Sequence, residues 1–245
     1  MAKALIEGLV SSYEIEVFGR NETALKALKK DVPQIRIKVL ADLEEISGKN
    51  IVLCVKPYSL PALAPKLEGE ANALYSVLAG TSIESLSSHI KAKKYIRTMP
   101  NLGASHLKSM TTITGDEALK EQAMDIFNQI GRSLWLSSEN ELDIATGVAG
   151  SGPAYLALIA EAMADGAVQQ GLKRTDAQTL VTGLFEGFAP LLANDNPADI
   201  KDGVMSPGGT TAAGYAAMER GSVRNAMMEA IAEAYAKAKE LKIKN

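Results

Sequence analysis

The chain has 245 residues, 47% of them hydrophobic and 22% charged, with a formal net charge of -3, one cysteine and two histidines. This composition is that of a globular protein large enough for two domains, and it excludes wholesale disorder, a disulfide scaffold and a basic nucleic-acid-binding surface. No uninterrupted apolar run approaches the ~20 residues of a membrane span and no basic-then-apolar leader opens the chain, so the expected location is the cytoplasm, with neither membrane nor nucleic acid as partner.

Taken in order, Met1 to Val10 reads as a helix that starts abruptly. From Glu14 to about Ser137, short apolar or alternating runs recur between helical segments, the pattern of an α/β sheet with mostly parallel strands. Strands are expected at Ile15–Phe18, Ile35–Leu40, Ile51–Val55, Leu74–Leu78, Tyr95–Met99, Met110–Thr114 and Ser133–Leu136. Helices are expected at Asn21–Lys30, Pro61–Leu67, Ser82–Ile90 and Asp116–Ile130, several with Asn, Ser or Asp at the cap. The alternation stops near Ser138. From Glu139 the chain is rich in Ala, Leu, Met and Glu and reads as four or five helices, so residues 1–138 are expected to form a Rossmann-like α/β domain and residues 139–245 an all-α domain. The wide apolar faces of Pro153–Gln170 and Asp176–Leu192 exceed what a free-standing bundle of that size needs and point to a second subunit.

The strand Ile15–Phe18 with Gly19-Arg20-Asn21 after it looks like the second strand of a nucleotide-binding βαβ unit. The first strand and its Gly-x-Gly-x-x-Gly turn, roughly a dozen residues, are absent ahead of it, and the strand order 3-2-1-4-5-6 then leaves a gap in the middle of the sheet. Arg20 stands where an NAD-specific fold carries an acidic residue. It suits a 2′-phosphate, or else it is a solvated loop charge. Gly150-Ser151-Gly152-Pro153 lacks a third glycine and follows no strand, and it reads as a helix start. Ala149 and Pro153 exclude a nucleophile elbow there. His89, His106 and Cys54 have no spacing that supports a metal site or a Cys/His pair, and Cys54 is expected to be a small buried hydrophobe.

The run Lys201-Asp-Gly-Val-Met-Ser-Pro-Gly-Gly-Thr-Thr211 sets two glycines and two hydroxyls at the start of a helical segment. Two readings stand side by side: an anion site in which Gly208 and Gly209 admit a small carboxylate to the unpaired amides, or a turn that caps a helix.

Several motifs in this order resemble those of the pyrroline-5-carboxylate reductases: Val55-Lys56-Pro57, Ala79-Gly80, Arg97-Thr98-Met99-Pro100-Asn101, Gly150-Ser151-Gly152-Pro153-Ala154-Tyr155 and Ser206-Pro207-Gly208-Gly209-Thr210-Thr211. The resemblance runs over essentially the whole chain. It implies reduction of 1-pyrroline-5-carboxylate to L-proline with NADPH, or NADH, by a homodimer that in this family often assembles into pentamers of dimers. Carried over, it puts Arg20 and Asn21 at the adenosine phosphate, Val55, Lys56 and Pro57 beside the cofactor, Ala79 and Gly80 near the nicotinamide, and Asn101 at the mouth of the site. It assigns the substrate carboxylate to Ser206, with the close approach at Gly208, and to the amides of Gly209 and Thr210, and it assigns the ring nitrogen to the Thr211 hydroxyl as the catalytic contact. No metal is implied. Leu102-Gly103 departs from the family's usual Thr-Pro after Asn101, and Gly203 replaces an Asn of some members. On the residues alone, Lys56 has the alternative of a solvent-facing lysine at a strand end, Asn101 that of a turn residue, and Tyr155 reads as a packing residue rather than a proton donor. The alternatives are another imine or β-hydroxyacid reductase of the same plan, against which Lys173 and Lys201 lie outside a Gly-x-x-x-Lys-Asn motif, and a non-catalytic relative that lost the cofactor loop.

Overall fold

The computed structural model describes the backbone of residues 1–40 and 43–244 and the side chains through Lys242. It divides into two compact units, Met1–Ser151 with Ile231–Asn245, and Gly152–Ala230. Asn245, the end of the expected helical domain, lies outside the described residues.

The first unit opens with helix α1 (Ala2–Leu9), strand β1 (Glu16–Gly19), helix α2 (Glu22–Asp31) and strand β2 (Arg36–Val39). After them come the short β3 (Glu44–Glu45), β4 (Asn50–Leu53), the four-residue α3 (Leu60–Leu63), β5 (Leu67–Glu68), β6 (Ala73–Ser76) and α4 (Ile83–His89). Strand β7 (Tyr95–Met99), β8 (Ser109–Gly115), α5 (Lys120–Asn128), β9 (Gly131–Trp135) and α6 (Glu139–Ala145) complete it. Asn21 and Ser82 cap α2 and α4, accepting from the amides of Ala24 and Ser85 as their positions in the sequence predict. The expected helix Pro61–Leu67 is broken into α3, a 3-10 turn at 64–66 and β5, because Pro65 has no amide to give to the ladder, whereas Pro61 sits harmlessly in the first turn of α3.

Strands β4, β6, β7, β8 and β9 form one sheet in that order, parallel except for the antiparallel β7–β8 pair. Strands β1 and β2 pair in parallel as a separate ribbon. The sheet is therefore interrupted between β1 and β4, where the doubly wound order has its first strand. No backbone ladder joins those two strands among the described residues. Side chains link their start instead, with Lys49 Nζ 3.4 Å from Glu16 Oε2 and 5.4 Å from the centre of the Phe18 ring.

On one face of the sheet Leu5 and Leu9 of α1 pack with Tyr75, Ile96, Ile113, Phe127 and Ile130. On the other, Leu53, Leu60, Leu74, Leu78, Leu86 and Ile90 form a second cluster, and each such side chain contributes about 1.5–3 kcal/mol. All four residues of β6 are buried, the mark of a central parallel strand covered on both sides. Cys54 is half-buried at the edge of the first cluster; burial pushes its thiol up to about 11 while the Met1 ammonium opposes the rise, so it is a packing residue rather than a nucleophile.

The second unit holds α7 (Gly152–Gln169), α8 (Arg174–Asn194), α9 (Pro197–Val204), α10 (Thr210–Arg220) and the first part of α11 (Val223–Lys244), whose remainder from Ile231 belongs to the first unit. Its helices bury little apolar surface within the chain: Leu180, Leu184 and Phe188, at helical spacing on α8, are all exposed. Residues Glu139–Gln169 form a continuous helical run of 31 residues that is long and apolar enough, by length and composition, to cross a membrane. Gly150-Ser151-Gly152, read from the sequence as a helix start, is where α7 begins, and just ahead of it lies a π-helical turn at Thr146–Gly150, closed by the Ser151 amide donating to the Thr146 carbonyl at 3.0 Å.

Candidate active site

The residues assigned to a cofactor converge on the C-terminal ends of parallel strands, the edge at which open α/β sheets bind ligands. Arg20 and Asn21 follow β1. The Asn21 carboxamide oxygen accepts the Ala24 amide at 3.0 Å, and Arg20 is exposed with no ion pair among the described residues. Val55, Lys56 and Pro57 follow β4, the first and last half-buried and Lys56 exposed, with a 3-10 turn starting at Pro57. Ala79 and Gly80 follow β6; Ala79 is exposed, whereas Gly80 is buried at a φ of 67°. A side chain at Gly80 would stand 2.7 Å from the Leu241 Cβ, so glycine is required here by conformation and by the C-terminal helix together.

Asn101, after β7, is committed to the protein itself. Its oxygen accepts the Gly103 amide at 3.0 Å and its nitrogen donates to the Ala149 carbonyl at 2.9 Å. The turn reading of Asn101 is thereby realised, and one donor and one lone pair of the amide remain for a ligand.

Sequence reasoning quoted Arg97 within a motif but gave it no role. Its guanidinium, 2% exposed, donates to Glu139 Oε1 at 2.8 Å and to Asp143 Oδ1 at 2.9 Å, and Lys242 Nζ lies 3.9 Å from the second oxygen of each carboxylate. Two cations face two anions, which is how a buried guanidinium is tolerated. The signal was a charged residue in the middle of an apolar strand, but its partners lie more than 40 positions away.

The substrate-side residues are assembled in the second unit by a turn at the start of α10. The Gly209 amide donates to the Ser206 carbonyl at 3.0 Å, and Gly208 takes a φ of 71° that strains any other residue. A Cβ on Gly209 would lie 2.5 Å from Ser206 Oγ. Since Gly209 caps α10 without a side chain, no cap bond reaches the first amides of that helix. The Gly209 amide assigned to the carboxylate is engaged within the turn, which leaves the amides of Thr210 and Thr211 as the ones facing outward from the helix end. Ser206, Gly208, Thr210 and Thr211 are exposed. Lys201 is paired with Asp202 at 2.9 Å and lies over the Tyr215 ring; the bond to Asp202 raises its pKa and keeps it charged. Tyr155 donates to the Ala230 carbonyl at 3.3 Å, as a packing residue would. Among the described residues no three His, Cys, Asp or Glu side chains are grouped to hold a metal ion.

Residues 139–241 match the family model described as pyrroline-5-carboxylate reductase dimerisation. A pyrroline-5-carboxylate reductase of Synechocystis sp. is 36% identical over 255 aligned positions, covering 98% of this chain and 94% of that protein. Among solved structures, the 1-pyrroline-5-carboxylate reductase of Streptococcus pyogenes superposes with a TM-score of 0.84 at 28% identity, covering 98% and 95% of the two chains. The Plasmodium falciparum pyrroline carboxylate reductase, solved with NADP bound, shares the fold at a TM-score of 0.76 and 24% identity, with 98% and 93% covered.

Proposed function

The chain belongs to the pyrroline-5-carboxylate reductase family and is an oxidoreductase that reduces 1-pyrroline-5-carboxylate to L-proline with a nicotinamide cofactor, for which we propose that NADPH is the preferred form and NADH the alternative. The observation that carries the assignment is identity above 30% to such reductases over nearly the full length. Another imine or β-hydroxyacid reductase, or a non-catalytic relative, is not favoured by it.

The residues at the strand ends fit a dinucleotide by their chemistry. Arg20 offers a guanidinium with no ion pair among the described residues, beside a helix N-terminus, the donor that a 2′-phosphate takes in bidentate fashion. Lys56 offers an exposed cation with no ion pair among the described residues, and the exposed Ala79 has a side chain small enough to leave room for a ring. When bound, the reduced nicotinamide supplies the hydride. On this reading Arg20 and Asn21 hold the adenosine phosphate, Val55, Lys56, Pro57 and Asn101 border the cofactor, and Ala79 and Gly80 flank the nicotinamide.

The Ser206 hydroxyl and the outward amides of Thr210 and Thr211 bind the substrate carboxylate, with the positive end of the α10 dipole behind them. The Thr211 hydroxyl accepts the N–H of the protonated imine and fixes the orientation of the ring. A cyclic iminium needs no further base, since the incoming hydride and the proton already on nitrogen complete the amine. The protein's contribution is orientation and charge placement. The helical region joins two copies, and the dimers assemble further into a pentamer of dimers in the cytoplasm, without nucleic acid or membrane.

The test is an assay of the purified chain with NADPH and 1-pyrroline-5-carboxylate. The expected result is one L-proline formed per NADPH consumed; no imine-dependent oxidation of either nicotinamide would overturn the assignment.

A further inference from the structure

We propose that Glu139 is a positioning residue for hydride transfer, bracing the segment Gly80–Ile83 from behind. The proposal rests on the reading that Ala79 and Gly80 flank the nicotinamide.

The segment between β6 and α4 is held at both ends by groups from far along the chain. At Gly80 the Leu241 side chain fills the space where a Cβ would stand. At the other end the Ile83 amide, a leading amide of α4, donates to Glu139 Oε1 at 3.0 Å. Between them Thr81 is buried and Ser82 is tied up in capping α4. Only Ala79, just ahead of the braced stretch, is exposed.

The brace is itself anchored. The same Glu139 oxygen accepts from Arg97, a buried side chain on the neighbouring strand β7, and Glu139 Oε2 faces Lys242, one residue beyond Leu241. One carboxylate therefore links the central sheet, the N-terminus of α4 and the last turn of α11. Its negative charge sits favourably against the positive end of α4 and between two cations, so the carboxylate is held in one place rather than free to rotate. A turn fixed in this way presents its exposed residue at a defined height, and hydride transfer is steep in donor–acceptor placement: a displacement near 1 Å is enough to cost about a hundredfold. Asp143 shares Arg97 and Lys242 with Glu139 but, among the described residues, bonds to none of the segment, so it supplies an internal control for a merely structural role.

The experiment compares the full chain with Glu139→Ala, Glu139→Gln and Asp143→Asn. In the first readout, backbone amide exchange without any ligand, Glu139→Ala is expected to speed exchange across residues 80–84 by about tenfold or more while β8 is unchanged; Asp143→Asn is expected to leave 80–84 as in the parent. In the second, Glu139→Ala is expected to lower kcat about tenfold with the KM for NADPH within about twofold, and to enlarge the primary isotope effect with NADPH deuterated at the transferred position. Glu139→Gln, which keeps an acceptor for the Ile83 amide, should restore most of both. Unchanged exchange at 80–84, or equal loss of kcat in Glu139→Ala and Asp143→Asn in step with their Tm, would overturn the brace. A parent chain that does not consume NADPH with the imine would instead overturn the functional reading, and the exchange result would still decide the brace.

Discussion

Arg97 and Asp143 are 46 positions apart in the chain and 2.9 Å apart in the fold, each with its side chain almost wholly buried. Removing one partner of such a pair strands the other charge in a poorly solvated place, typically at about 3–5 kcal/mol. Arg97→Met is therefore expected to lower the unfolding free energy by about that amount in urea titration. Pairing it with Asp143→Asn should recover part of the loss, because one stranded carboxylate is then neutral. A single-variant loss below about 1 kcal/mol would place the pair among solvent-screened surface bridges.

Arg20→Ala separates the two cofactors. Loss of a charge-assisted phosphate contact of ~1.5 to 3 kcal/mol raises the KM for NADPH by about tenfold or more. The KM for NADH, which lacks the 2′-phosphate, should scarcely move. Equal changes with both cofactors would return Arg20 to the status of a solvated loop charge.

The turn before α10 allows two complementary substitutions. Thr211→Ala is expected to lower kcat/KM for the imine with NADPH affinity nearly unchanged, and Thr211→Ser to retain most activity. Gly208→Ala forces a side chain into a φ of 71° at a strain of about 1–2 kcal/mol, so substrate KM should rise as the turn relaxes. Full activity in Thr211→Ala would leave the residue as a helix-start threonine only.

The exposed row Leu180, Leu184 and Phe188 on α8 is expected to lie in the contact between two copies. A charge at its centre is costly when desolvated, so Leu184→Glu should shift the protein toward monomer at micromolar concentration in light scattering. An unchanged assembly would place the contact on another face.

The longer strands and the caps of α2 and α4 were legible because they depend on neighbours in sequence: alternation of side chains and a cap residue a few positions from its amide, whereas the two-residue β3 and β5 and the break at Pro65 were not. Nor was the π-helical turn at Thr146–Gly150. A π turn across small residues looks like a helix end until its i to i+5 bond is seen.

The roles expected of the cofactor-side and substrate-side motifs come from the family resemblance, not from the chemistry of glycine, threonine and arginine in those patterns alone. The engagement of Asn101 with Ala149, the loss of the Gly209 amide to the Ser206 turn, and the need for glycine at position 80 beside Leu241 were decided by the fold alone. So was the meeting of Arg97, Glu139, Asp143 and Lys242. The physical reason is range. Conformational preference and amphipathic pattern act within a few residues, whereas the pairing of a buried charge is settled only when the whole sheet and the last helix have come together around it.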